Sequence, residues 1–294
     1  MNIDTKLLKD LRERTGAGIM DCKKALEENN SDIEAAAKWL REKGIAKAVK
    51  KASRISAEGV FNVLVNGNDA LVYEVNCETD FVAKNEKFNN FVNELGKVLV
   101  ASGAKCTDCA MEAKNEKGET VKDMLLGFIA VIGENITLRN VQVITKADNQ
   151  EFGVYKHNGG KIAVVTVVEG ADSDLAKKVA MHVCANDPRY LDRNSVDPEY
   201  LANEREILTK EAKEENPNKP EQIIERMIEG RIQKGLKEIC LMDQAFLMDP
   251  NITVEQYLKN NGAKLVSYSR NGVGAGIEKK QNNFVDEVYS QMNN

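Results

Sequence analysis

The sequence predicts an α+β protein built from several domains, and three observations predict it. A chain of 294 residues is longer than one hydrophobic core comfortably serves. Its apolar period is helical over residues 1–54 and becomes strand-like beyond them. A strand–turn–strand–helix plan then occurs twice, with Gly153-Val154-Tyr155 echoing Gly59-Val60-Phe61 at an offset of 94 residues.

Residues 1–54 read as three short helices. The first covers about Asp4–Arg14, with Leu7, Leu8 and Leu11 at helical spacing, and Thr15-Gly16-Ala17-Gly18 stops it. The second runs over about Ile19–Glu28 and buries Ile19, Cys22, Ala25 and Leu26. The third opens with a capping box, Ser31-Asp32-Ile33-Glu34, and carries Ala36, Ala37 and Leu40 inward. Lys43–Arg54 follows as a basic, alanine-rich linker. Such a bundle is by default a docking module.

In residues 55–146, Gly59–Val65 is a strand, Asn66-Gly67-Asn68 a hairpin turn and Ala70–Cys77 the return strand. Beyond Thr79-Asp80-Phe81, the spacing of Phe88, Phe91, Val92, Leu95, Val98 and Leu99 predicts a helix. Residues 147–270 repeat the plan: a turn at His157–Gly160, a strand over Ile162–Val168 and a helix over Leu175–Ala185. Each unit should pack helices on one face of a small antiparallel sheet. Residues of about 187–237 form a helical insert. All five prolines lie beyond residue 187, and Asn216–Pro220 is the turn between two helices with narrow apolar stripes. Those stripes suit a hairpin seam or a partner helix, so self-association is expected. Phe246–Pro250 and Leu265–Tyr268 should rejoin a sheet. Residues 271–294 form a terminal module with a last helix at about Phe284–Met292.

At 42% hydrophobic and 30% charged residues, the composition is that of a globular protein rather than a disordered or membrane-spanning chain. No run approaches the ~18 apolar residues of a membrane span, and the opening residues lack the apolar stretch of an export signal. A cytosolic location follows as an expectation, with Cys22, Cys77, Cys106, Cys109, Cys184 and Cys240 as reduced thiols. Residues 1–54 hold 13 Lys/Arg against 9 Asp/Glu, a net of +4 on a chain of −5. That basic head is interleaved with acids, and its lysines read better as a solvated face than as a nucleic-acid surface.

Candidate chemistry is sparse. Cys106-Thr107-Asp108-Cys109 has half of a zinc-site spacing and no matching second pair. His182 and Cys184 are two apart on a helix and point in different directions, so His182 reads as a packed or boundary histidine. Gly272-Val273-Gly274-Ala275-Gly276 lacks both the P-loop and the dinucleotide spacing and reads as a turn. No pair of carboxylates stands out, so no enzymatic reaction and no cofactor or metal is expected. A metal enzyme and a nucleic-acid binder using Lys43–Arg54 remain as rivals, the latter predicting steep salt dependence. Thr79-Asp80-Phe81 reads, on local physics alone, as a helix cap with the phenylalanine packed beneath it.

Two longer motifs carry more. Thr15-Gly16-Ala17-Gly18-Ile19-Met20-Asp21-Cys22-Lys23-Lys24-Ala25-Leu26 resembles the N-terminal signature of the elongation factor Ts family, and Glu74–Asn85, with Asn76-Cys77-Glu78-Thr79-Asp80-Phe81-Val82 at its centre, is similar to the second. Ile132-Gly133-Glu134-Asn135-Ile136, Ala180-Met181-His182-Val183, Pro188 and Gly276-Ile277-Glu278-Lys279 extend the likeness in unchanged order. The resemblance implies an N-terminal bundle like a ubiquitin-associated domain, two related core subdomains, and a helical dimerisation hairpin inserted in the second. It implies guanine nucleotide exchange on elongation factor Tu, with no chemical step. The implied contact residues are Asp80 and Phe81 as the wedge with Thr79 and Val82 beside them, Arg12, Ile19, Met20 and Lys23 on the bundle, and Ile132, Gly133, His157 and Met248 from the core. Phe81 would enter an apolar cleft of the GTPase domain, and Asp80 would perturb the network orienting the Mg²⁺ waters. Cys184 departs from the usual alanine, and Cys106 and Cys109 have no role in the family pattern.

Overall fold

In the computed structural model, which describes residues 3–278, the chain divides into two units. One comprises Met1–Ile144, Asn158–Lys161 and Gly272–Asn294; the other comprises Thr145–His157 and Ile162–Asn271. The helix expected at about Phe284–Met292 lies outside the described residues.

The first unit opens with α1 (Thr5–Thr15), where Asp4 accepts the Lys6 amide at 2.9 Å and Gly16 closes the helix in the left-handed region. Then come α2 (Ile19–Glu28) and α3 (Ile33–Lys51). Leu11, Cys22, Ala25, Leu26 and Ala36 form their shared core. Ile19, expected inside, is instead half exposed with Met20 beside it, because the helix turns its first two residues away from that core. The expected Ser31–Glu34 capping box is replaced: Asp32 Oδ1 accepts the Glu34 and Ala35 amides, and Glu34 pairs with Arg14 at 2.5 Å. The linker expected at Lys43–Arg54 is helical as far as Lys51. Its alanines and lysines favour helix, and Gly44 lets the helix approach Ala130 so closely that a Cβ at position 44 would lie 2.7 Å from the alanine methyl.

The apolar alternation then builds β1 (Glu58–Asn66) and β2 (Asp69–Cys77), antiparallel from Glu58 opposite Cys77 to Asn66 opposite Asp69. One-turn α4 (Asp80–Ala83) and long α5 (Glu86–Ser102) follow, the latter burying all six apolar residues that predicted it. Tyr73 reaches from β2 to α5, donating its hydroxyl to Val92 O at 2.8 Å, and burial pushes its pKa up to about 12. Next are α6 (Thr107–Glu112), α7 (Val121–Ile132) and β3 (Thr137–Thr145), which lies beside β2 in the order β1-β2-β3. One hydrophobic core beneath this sheet runs from Val60 through Phe88 and Leu95 to Ile129 and Leu138.

The second unit repeats the hairpin with β4 (Gln150–His157) and β5 (Ile162–Glu169), antiparallel, and packs α8 (Ser173–Asn186) against them. The insert is α9 (Pro198–Glu215) and α10 (Glu221–Ile239), whose stripes meet each other: Ile224, Ile228, Ile232 and Leu236 are buried with Ala212. Ala245–Phe246 (β6) and Asp249–Thr253 (β7) form their own two-stranded sheet instead of joining the larger one. After α11 (Val254–Asn260), β8 (Lys264–Gly272) adds to β5, giving β4-β5-β8. In each unit the hairpin is followed by a helix and extended by a third strand, so the fold is α+β as expected, with the internal repeat expressed as two like sheets.

Candidate partner-docking site

The second signature occupies the exit of β2. Thr79 caps α4, its hydroxyl accepting the Val82 amide at 3.4 Å, and Asn85 caps α5 by accepting the Lys87 amide at 2.8 Å. Two helices therefore start within seven residues, and the turn between strand and second helix is forced outward. Ala83 is buried and Val82 is packed partly against the core, but Phe81 is 81% exposed. The capping half of the local reading holds, whereas the phenylalanine points into solvent. Asp80 accepts Lys84 Nζ at 2.7 Å, and that hydrogen bond holds its carboxyl below the usual carboxylate range.

What holds this turn comes from far along the chain. Glu134 Oε2 accepts the Glu78 and Thr79 amides, both at 3.0 Å, and Glu134 Oε1 accepts the Thr79 hydroxyl at 2.6 Å. In return, Glu78 Oε1 accepts the Asn135 amide at 2.6 Å and lies 3.5 Å from Arg54. Asn135 donates through Nδ2 to Arg54 O at 2.7 Å and receives Ser56 Oγ at its carbonyl at 3.0 Å. Lys51 Nζ donates to Gly133 O. Gly133 ends α7 with φ +86, a conformation that carries Glu134 back toward β2 and that a side chain would strain. Cys77, buried under the turn, donates its thiol to Thr79 O at 3.1 Å. Burial and then the nearby Glu134 push its pKa up to about 12, so it is no nucleophile.

Of the expected contact residues, the structure thus brings Thr79, Asp80, Phe81 and Val82 together with Ile132 and Gly133, through Glu134. Arg12, Ile19, Met20 and Lys23 all lie exposed on α1 and α2; Met20 is 75% exposed, and Lys23 lies in a long pair with Glu27 at 4.0 Å. In the second unit, His157 is exposed at the end of β4, with Nδ1 3.3 Å from the Tyr155 hydroxyl. Met248 is 47% exposed on the turn between β6 and β7, next to Leu247. That turn is also held from elsewhere: fully buried His182 accepts the Leu247 amide at Nδ1, 3.1 Å away, and donates from Nε2 to Gln244 Oε1 at 2.9 Å. Residue spacing could not point to Glu134, Glu78 or His182 as anchors, because each acts across more than 50 positions.

The other candidates settle into structural parts. Cys106 and Cys109, expected as reduced thiols, are joined in a disulfide at the start of α6, since the helical turn brings positions three apart together. The central amides of Gly272–Gly276 are taken by protein acceptors: Val273 N by Lys161 O at 3.0 Å, Gly274 N by Glu74 Oε1 at 2.8 Å, and Ala275 N by Gly272 O at 3.3 Å. Fully buried Glu74 also accepts Asn76 at 2.7 Å and Asn140 at 2.6 Å, so this carboxylate anchors the terminal segment to the sheet. Among the described residues, no helix is long and apolar enough to cross a membrane.

Comparison with known proteins agrees with this arrangement. Residues 78–275 match the family described as Elongation factor TS, and residues 1–48 match the one described as Elongation factor Ts, mitochondrial, N-terminal. Over 295 aligned residues, covering all of both chains, the sequence is 48% identical to Elongation factor Ts of Acholeplasma laidlawii (strain PG-8A). With a capped turn at the second signature, a three-helix head and two like sheets in the order those matches span, the chain belongs to the elongation factor Ts family of translation elongation factors.

Proposed function

We propose that the protein is a guanine nucleotide exchange factor for elongation factor Tu. It docks on the GDP-bound GTPase, disturbs the Mg²⁺ and phosphate site, and releases GDP so that GTP can enter. It carries out no chemical step and needs no cofactor. The observation that carries this reading is Phe81, 81% exposed on a turn whose backbone is held by Glu134. Aromatic anchors of this kind concentrate binding energy at interfaces, and burying a phenylalanine is worth roughly 2–3 kcal/mol.

Exchange follows from linkage. A protein that binds the empty GTPase more tightly than the loaded one must weaken nucleotide binding by the same factor. Mg²⁺ demands a near-ideal octahedral shell with several waters, so a small displacement around it releases a large share of the nucleotide affinity. Phe81 enters an apolar cleft of the GTPase domain while Asp80, exchanging its Lys84 partner, acts on the groups that orient those waters. Arg12, Ile19, Met20 and Lys23 grip the partner from the head, and Ile132, Gly133, His157 and Met248 from the core. Thr79 and Val82 flank the wedge. Each differential contact worth about 1.4 kcal/mol speeds release about tenfold. Self-association through α9 and α10 is part of the same reading, supported by Ile207 and Ile223, which the hairpin seam leaves exposed.

The test is release of a fluorescent GDP analogue from elongation factor Tu. Strong acceleration by the wild-type protein and its loss in Phe81→Ala support the reading. Acceleration by both moves the leverage away from the wedge, and none by a folded wild type discards the function.

A further inference from the structure

We propose that Glu134 is a positioning residue for exchange: its carboxylate holds the Glu78–Thr79 backbone so that Phe81 is presented in its docking orientation before the partner arrives. This rests on the exchange reading above and adds the part that makes the wedge stiff.

The case begins from what Phe81 lacks. Its side chain is 81% exposed, so packing does not orient it. Helix α4, which carries it, is four residues long, and an isolated turn of helix does not sustain itself in water. Buried Ala83 seats the end of that turn, and hydrogen bonds hold its start, where the amides of Glu78 and Thr79 and the Thr79 hydroxyl all converge on one carboxylate at 2.6–3.0 Å. Hydrogen bonds to a carboxylate are stronger than neutral ones, and three of them fix its plane. The carboxylate is in turn located by the left-handed Gly133 and by the Asn135 amide bound to Glu78 Oε1. The two glutamates therefore clamp each other's backbones, closing a ring between the end of β2 and the end of α7. A wedge loose in the free protein would pay its ordering cost on docking; a clamped one has paid it in folding.

This role differs from a contact. Glu134 need touch nothing on the partner, and its effect passes through the turn it holds, chiefly through Phe81. Removing it should slow the step in which the wedge enters, while the encounter made by the exposed residues of α1 and α2 persists.

The experiment measures GDP release from elongation factor Tu against concentration of the full-length protein, as wild type, Glu134→Ala, Glu134→Gln, Phe81→Ala and Phe81→Ala/Glu134→Ala. Glu134→Ala should lower the maximal rate about tenfold with the half-saturating concentration changed less than about twofold. Glu134→Gln, which keeps an oxygen for the two amides, should recover most of the rate. In the Phe81→Ala background the second change should cost well under its tenfold effect in the wild-type background, since only Asp80 remains to be positioned. Amide hydrogen exchange on the free protein supplies a readout independent of the partner: the Glu78 and Thr79 amides should lose protection in Glu134→Ala while β1 keeps its own. A full multiplicative loss in the double variant, a wild-type rate in Glu134→Ala, no rescue by Glu134→Gln, or unchanged protection would each overturn the proposal. If wild type and Phe81→Ala behave as expected but Glu134→Ala matches wild type, only the positioning role falls. If wild type itself does not accelerate release, the exchange reading falls and takes this proposal with it.

Discussion

The Phe81 tip of the first unit and the Leu247–Met248 tip of the second solve one problem with different chemistry. Both present apolar side chains to solvent on short turns, and both have backbone amides captured by a side chain distant in sequence. At the first tip the acceptor is a partly exposed carboxylate that takes two amides and a hydroxyl. At the second it is one nitrogen of a fully buried imidazole, whose other nitrogen is committed to Gln244, itself fixed by donating to Glu238 O at 2.6 Å. The imidazole is also part of its unit's core, stacked beside Phe246, which stacks in turn on Tyr257 at 4.0 Å. The difference teaches that one tip is anchored at the surface of its core and the other through it. Loss of Glu134 should disturb presentation alone, whereas loss of His182 should disturb the unit.

The sharpest way to break this comparison is His182→Ala. It leaves a cavity among Phe246 and the α8 residues and two polar groups without partners, and should destabilise the second unit by about 3 kcal/mol in urea unfolding, with the first unit's transition unmoved. Equal loss in both units would show that the tips are not anchored separately. Phe81→Ala should come next, slowing exchange about 30- to 150-fold, as ~2–3 kcal/mol of buried aromatic side chain implies, without changing the melting temperature. Met248→Ala should cost only about fivefold in exchange, because a half-exposed methionine has less surface left to bury. A larger loss there than at Phe81 would reverse the ranking of the two tips.

The smallest effect is a pH dependence confined to the second tip. Burial pushes the His182 pKa below its ordinary 6.5. The folded protein therefore takes up this proton less readily than the unfolded chain. The stability involved is complete above pH 6.5 and is lost progressively as pH falls from there through the folded-state value. Protonation also fills Nδ1, the acceptor of the Leu247 amide. Nuclear magnetic resonance should find the Leu247 amide losing protection between pH 7 and pH 5 with the Thr79 amide unaffected. Parallel loss at both amides would remove histidine as the cause.

How much was legible beforehand differs by element. Helices α1, α2, α5 and α8 and the two hairpins were readable because each declares its buried face through a local period or a turn pair. The last turns of α3 were obscured by small and basic residues, which read as a linker until Gly44 is seen against Ala130. Strand β3 and helices α6 and α7 have no counterpart among the expected elements, and β6 and β7 pair apart from the expected sheet, since a short strand does not announce its neighbour. At the site, the second signature was legible as a motif, but local physics placed Phe81 inside the protein.

The sequence by itself determined the class, the repeated hairpin, the helical insert and the family, because these depend on periodicity, turn residues and ordered motifs written along the chain. Only the tertiary structure decided that Phe81 stands in solvent, that Glu134 holds its turn, that Glu74 anchors Gly274, and that β8 completes the sheet begun by β4. The physical reason is common to all four. A local pattern reports which face of an element prefers burial, while hydrogen bonds and strand pairings spanning 55 to 200 positions depend on which elements the whole chain brings together.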